Sequence, residues 1–160
     1  MTVRLHFGVV DMPYAQSTAP AVGKKPPTTP SQTISTGDVA EILEARYRIM
    51  ETFFDLKGQQ IADALTDAMQ GKLEDILLGS PIEIGDKLFS EGELGEIEQL
   101  FRKMLDGREL DGKIAGVPTQ AAEAGVSHRS LHPYAKRPAR PSFIDTGQYQ
   151  AAFRAWATEE

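Results

Sequence analysis

The chain opens on strict alternation. Over residues 2–10, Val3, Leu5, Phe7 and Val9 fall on one face of an extended segment, and Thr2, Arg4 and His6 on the other. A period of two is the mark of a half-buried strand. The pattern then stops. Residues 11–37 carry Pro13, Pro20, Pro26, Pro27 and Pro30 among Ser, Thr, Ala and Gly. Such a segment buries too little apolar surface to offset the entropy of ordering it, so it reads as an extended arm or linker. A strand beyond such a linker needs an edge to pair with, on its own domain or on a neighbouring subunit.

A helical period takes over at residue 38. Val39, Ile42, Leu43, Met50, Phe53, Phe54 and Leu56 recur at roughly helical spacing, and Ile61, Leu65, Met69, Leu73, Ile76 and Leu77 continue it at three- and four-residue steps. Ser35, Thr36 and Asp38 offer N-caps, and Gly79-Ser80-Pro81 ends the run. No proline interrupts it. Gly58 weakens the middle, so the segment is one helix of roughly 60 Å or two helices bent near Lys57-Gly58. Its stripe has two possible covers: a hairpin partner in 93–106, or other subunits.

Residues 82–89 read as a short strand or a loop. Ser90 and Glu93 form a capping box that opens a helix over about 91–106, with Leu94, Ile97, Leu100, Phe101, Met104 and Leu105 on one face. Asp106-Gly107 and Asp111-Gly112 mark turns. Pro118 suits the first turn of a short helix over 118–124, closed by Gly125. Asp145 or Thr146 can cap a last helix, on which Tyr149, Phe153 and Trp156 share a face at i, i+4 and i+7. The expected fold is α+β: a long amphipathic helix and shorter helices packed with a small sheet, with residues 1–37 as an N-terminal strand and arm and 38–160 as a mainly helical domain.

Composition narrows the class. Of 160 residues, 41% are hydrophobic and 25% charged, which fits a globular chain rather than a disordered one. The absence of cysteine excludes disulfides, thiolate metal sites and a cysteine nucleophile. No apolar run reaches the ~20 residues of a membrane span, and the first residues lack the basic start and apolar block of a signal peptide. A soluble protein made in the cytoplasm is the expectation, with no membrane partner.

The net charge of −6 hides a pattern. Residues 1–37 hold three basic residues and one acid, residues 38–111 eight and eighteen, and residues 112–160 six and four, giving +2, −10 and +2. An acidic middle disfavours nucleic-acid binding by the whole domain. Opposite blocks fit either a solvated surface or head-to-tail contact between copies.

No P-loop, dinucleotide fingerprint or Gly-x-Ser-x-Gly is present, so no catalytic residue, cofactor or enzymatic activity is assigned. His128 and His132 have a zinc-like spacing but lie in a proline-containing basic stretch with no cysteine or nearby carboxylate to complete a site, so no metal is assigned. Asp63/Asp67, Glu74/Asp75 and Glu93/Glu96 read as solvated helix faces rather than a catalytic pair. Residues 126–142 carry Arg129, Lys136, Arg137 and Arg140 without an acid. Charge complementarity favours docking on an acidic neighbour, such as another copy, over DNA. Trp156, near the end, either docks on the long helix or anchors a partner.

Ala124-Gly-Val-Ser-His-Arg through Arg140-Pro-Ser-Phe-Ile-Asp-Thr-Gly-Gln-Tyr-Gln-Ala-Ala-Phe-Arg-Ala-Trp156 resembles the C-terminal region of head–tail joining, or tail-completion, proteins from the necks of tailed bacteriophages. The matching positions are Arg140, Pro141, Ile144, Asp145, Thr146, Gly147, Tyr149 and Phe153, and the preceding long helix fits in outline. The close match covers about 33 residues, from 124 to 156. The proline-rich segment 11–37 does not align.

The resemblance implies a structural virion protein that forms a ring between portal and tail. Such rings are commonly hexameric, and dodecamers also occur. Other neck, portal-adaptor or tail-terminator proteins would be its neighbours, with DNA passing through without sequence-specific binding. It implies a location in the virion neck, and in the host cytoplasm during assembly. Expected interface residues are Val3, Leu5 and Phe7 as an added strand, the basic residues Arg129, Lys136, Arg137 and Arg140, and the docking element Asp145, Thr146, Gly147, Tyr149, Phe153 and Trp156. Gly147 suits a positive φ or a close backbone approach. The rival readings are a nucleic-acid-binding accessory protein using 126–140, and an assembly chaperone or adaptor absent from the finished particle.

Overall fold

In the computed structural model, residues 3–13, 34–80, 89–126 and 138–159 are described. The alternating N-terminal segment forms β1 (Val3–Val9) and pairs antiparallel with β2 (Phe153–Glu159), in a register running from Val3 opposite Glu159 to Val9 opposite Phe153. The edge it needs is therefore supplied by its own chain. The inner face of the sheet places Phe7 and Val9 against the core beside Phe153 and Ala155. The Val10 amide donates to the Ala152 carbonyl at 2.8 Å, just past the ladder.

The expected C-terminal helix is corrected here. Helix α5 spans only Gln148–Ala152, and Phe153 and Trp156 belong to the strand. Three apolar residues at i, i+4 and i+7 fit a helix face, but Phe153, Ala155 and Ala157 also alternate with Arg154, Trp156 and Thr158. Over so short a run both periods fit. Pairing with β1 decides between them, because a lone strand has nowhere to satisfy its backbone groups.

The helical run 38–78 resolves into α1 (Thr36–Tyr47) and α2 (Ile49–Leu77). The break lies at Arg48, in the left-handed region with φ 51° and ψ 48°, and not at Gly58. Glu44 makes it possible. Its carboxylate accepts from the Met50 amide at 2.7 Å and the Glu51 amide at 3.3 Å, serving donors at the start of α2 that have no helical acceptor. Helix α2 is thus 29 residues, about 43 Å at 1.5 Å per residue, and runs unbroken through Gly58.

Helix α3 (Glu91–Asp106) has the expected bounds and the Ser90/Glu93 capping box. Helix α4 (Gln120–Glu123) is shorter than expected: Thr119 is its N-cap, and Pro118 precedes it after a cis bond rather than sitting in its first turn. The possible strand over 82–89 falls almost wholly on 81–88, outside the described residues.

Both ends of the proline-rich segment are built into the fold, while residues 14–33 lie outside the described residues. Buried Thr36 joins them. Its hydroxyl donates to the Val10 carbonyl at 2.6 Å and accepts from the Met12 amide at 2.8 Å. The Thr36 amide donates to the Met12 carbonyl at 2.8 Å, and Pro13 bridges to Ser35. Asp11 accepts from the Gly37 amide at 3.0 Å. A Cβ on Gly37 would lie 2.7 Å from that carboxylate, so a larger residue there would displace the Asp11 side chain from the amide.

The core is an aromatic junction of three elements. Phe53 of α2, Phe101 of α3 and Phe153 of β2 are each fully buried. Phe101 and Phe153 stack at 4.1 Å, and Phe53 meets them edge-on at 5.2 and 5.7 Å. Ile49, Ile97, Met104 and Tyr149 extend the cluster. Around it, Glu98 of α3 holds the sheet. It pairs with Arg102 at 2.9 Å and Arg154 at 3.5 Å and accepts from the Ala155 amide at 3.3 Å.

Two outcomes are expected. A methyl group added at Gly58 meets no atom within 4 Å, so Gly58→Ala raises stability by about 0.5–1 kcal/mol in urea unfolding; a loss would mean that α2 needs flexibility there. Hydrogen bonds from the Ser35 side chain and then the Gly37 amide hold the Asp11 carboxyl below its usual 3.8. A depressed carboxyl stabilises the fold above its unfolded value, and that contribution disappears as pH falls through the lower folded value. The Gly37 amide resonance should titrate with a midpoint under 3.8; a midpoint above it would contradict the contact.

Candidate docking site around the C-terminal motif

Residues 138–147 cross from the end of the basic stretch to α5, and Arg140 organises them. Its amide donates to the Ala122 carbonyl of α4 at 3.0 Å. Its guanidinium donates to the Ile144 carbonyl at 2.5 Å and the Val126 carbonyl at 3.1 Å and pairs with Asp145 at 3.6 Å. A planar fork of donors suits this task, since it serves several acceptors from one fixed position. The buried Nε has no hydrogen-bond partner. Ser142, also buried, accepts from the Thr119 amide at 3.0 Å and so ties the segment to the α4 cap.

The next residues turn sharply. Phe143 has φ 67° and packs edge-on against Tyr47 of α1 at 4.9 Å. Gly147 has φ 76°, the positive value expected for it, and is the N-cap of α5. Neither Asp145 nor Thr146 is that cap, contrary to expectation. Asp145 is drawn toward Arg140, and the Thr146 hydroxyl accepts from the Gln148 amide at 3.4 Å, one step short of a capping contact. Tyr149 is buried and meets Phe101 at 5.9 Å.

A cavity of about 190 Å³ opens between this segment and α1. Val39, Leu43, Phe143 and Tyr149 form its apolar wall; Thr119, Arg140, Asp145 and Thr146 supply polar groups beside Gly147. For scale, a cavity of about 150 Å³ holds a benzene ring. The space therefore fits one partner side chain or a few waters. Among the described residues that line it, the titratable groups are Arg140, Asp145 and Tyr149.

The structure gathers Arg140, Asp145, Thr146, Gly147 and Tyr149 at one site. Phe153 lies in the core behind it. Trp156 lies apart, on the outer face of the sheet, stacked on His6 at 5.4 Å. Val3, Leu5 and Phe7 are in β1, paired within the chain. Arg129, Lys136 and Arg137, with His128 and His132, lie outside the described residues. Among the described residues, no group of three or more His, Cys, Asp or Glu could hold a metal ion, and no helix is long and apolar enough to cross a membrane. Asp63, Asp67, Glu74, Asp75 and Glu96 are exposed, while Glu93 is engaged in its capping box. Sequence reasoning missed Phe143, whose positive φ no local signal announces, and Thr119 and Val39, which reach the site only through tertiary contact.

Removing the Arg140 fork, as in Arg140→Ala, is expected to cost about 2–3 kcal/mol, the scale of hydrogen bonds made by a charged group. Arg140→Lys should recover little, because one ammonium cannot serve the separated Ile144 and Val126 carbonyls together. Denaturant midpoints of the two variants check this; full rescue by lysine would reduce Arg140 to a simple charge.

Compared with known proteins, the chain significantly matches no family model, no curated protein and no solved structure.

Proposed function

We propose that this chain is a structural subunit of a tailed-phage neck, working by assembly rather than catalysis. In this reading, copies close into a hexameric ring that joins the head and portal to the tail around the DNA channel, with twelve as the alternative count. Its neighbours are other neck, portal-adaptor or tail-terminator proteins. It is built in the host cytoplasm and resides in the virion.

One observation carries the assembly reading. Helix α2 outruns its partner. Helix α3, 16 residues long, packs against α2, with Phe101 meeting Phe53 and Glu109, just beyond α3, pairing with Lys57 at 2.7 Å. The far end of α2 keeps Met69, Leu73, Ile76 and Leu77 exposed, followed by Leu78, which is 84% exposed. A helix is normally held by burial of its apolar face, and a contiguous exposed apolar patch marks a contact surface. The resemblance of residues 124–156 to neck proteins supplies the kind of assembly.

Native mass spectrometry and electron microscopy of the purified protein test this. Rings of six or twelve are the expected outcome, and a strict monomer at high concentration overturns self-assembly. Mass spectrometry of purified virions tests the location: absence from the particle would favour the chaperone or adaptor reading.

A further inference from the structure

The outer face of the sheet and the far end of α2 are complementary. Across β1 and β2, Arg4 faces Thr158, His6 faces Trp156 and Gly8 faces Arg154. Paired residues share a face, so these six form one surface. It carries two arginines, a histidine and a tryptophan in a chain of net charge −6, and the one acid that Arg154 meets, Glu98 of α3 at 3.5 Å, is shared with Arg102. Trp156 lies flat across it. Its ring stacks on His6 and would lie 3.3 Å from a Cβ at Gly8, and it stays 44% exposed. The His6 ring bonds the Thr158 hydroxyl at 2.7 Å, which fixes the rim.

The α2 end has the opposite character. Its apolar residues Met69, Leu73, Ile76 and Leu77 are flanked by exposed Asp63, Asp67, Glu74 and Asp75, against Lys72 alone between residues 63 and 78. Two such ends cannot pair with each other without setting acid against acid.

Nor can the helix reach its own sheet. Phe7 of β1 contacts Phe54 of α2 at 5.1 Å, and Leu73 lies nineteen residues further along a rigid helix, about 28 Å away.

We propose that the α2 end of one copy docks on the outer sheet face of the next. Trp156 and the apolar stripe form the centre of this contact, and Arg4 and Arg154 lie against the flanking acids. Two different patches on one chain make a head-to-tail contact, which closes into a ring or runs on as a filament. The proposal rests on the assembly reading and names its interface.

The chain has no cysteine, so introduced thiols report this contact alone. Full-length copies carrying Leu77→Cys are mixed with copies carrying Thr158→Cys under mild oxidation. A disulfide between them is expected, absent when Lys113→Cys replaces Thr158→Cys, and lost when Leu73→Glu is added. Circular dichroism of each variant confirms that it is folded. Native mass spectrometry of the unmodified protein runs alongside. Closed rings without the 77–158 disulfide overturn the contact and leave the ring reading standing. The disulfide with only open chains supports the contact and counts against a closed ring. A monomer without the disulfide overturns both.

Discussion

Three phenylalanine rings hold the molecule together. Phe53, Phe101 and Phe153 come from α2, α3 and β2, elements separated widely in sequence, and each is fully buried. Aromatic pairs of this geometry add about 0.5–1.5 kcal/mol beyond the area they bury. More important is what the junction positions. It fixes β2 against α3, β2 fixes β1 by pairing, and the exit of β1 fixes the start of α1 through Thr36. Loss of any one ring would leave a large cavity at the point where every layer meets.

The C-terminal motif works in the same economy of ties. Arg140, Ser142 and Gly147 make the backbone turn between α4 and α5, and Tyr149 and Phe153 then lead directly into the core. Residues 138–153 are thus a structural tie as well as a candidate surface. Its polar groups are largely spent on neighbouring carbonyls and amides. The cavity beside α1 is the part of the site left to receive something else.

Where the sequence carried a strong local signal, the element was legible. The Ser90/Glu93 capping box and the stripe from Leu94 to Leu105 located α3 to the residue, and the alternation of Val3, Leu5, Phe7 and Val9 located β1. The general α+β class followed from these. Other features depend on contacts that local patterning does not encode. The break at Arg48 is stabilised by Glu44 reaching across it, and arginine gives no sign of a left-handed backbone, whereas Gly58 advertises flexibility that α2 does not use. Phe153 and Trp156 satisfied a helical period and a strand period at once, and only the presence of β1 chose. At the site, Gly147 was readable because glycine alone adopts positive φ freely. Phe143 adopts it too, held by Tyr47 and the ties on either side.

The Thr36 clamp couples the first two elements of the chain. Strand exit and helix entry are bonded to each other, so the distance between Pro13 and Ser35 is set by the fold and not by residues 14–33. The first strand and the first helix are therefore locked to each other at the edge of the fold, so a change in the angle of one is passed to the other through a single buried hydroxyl.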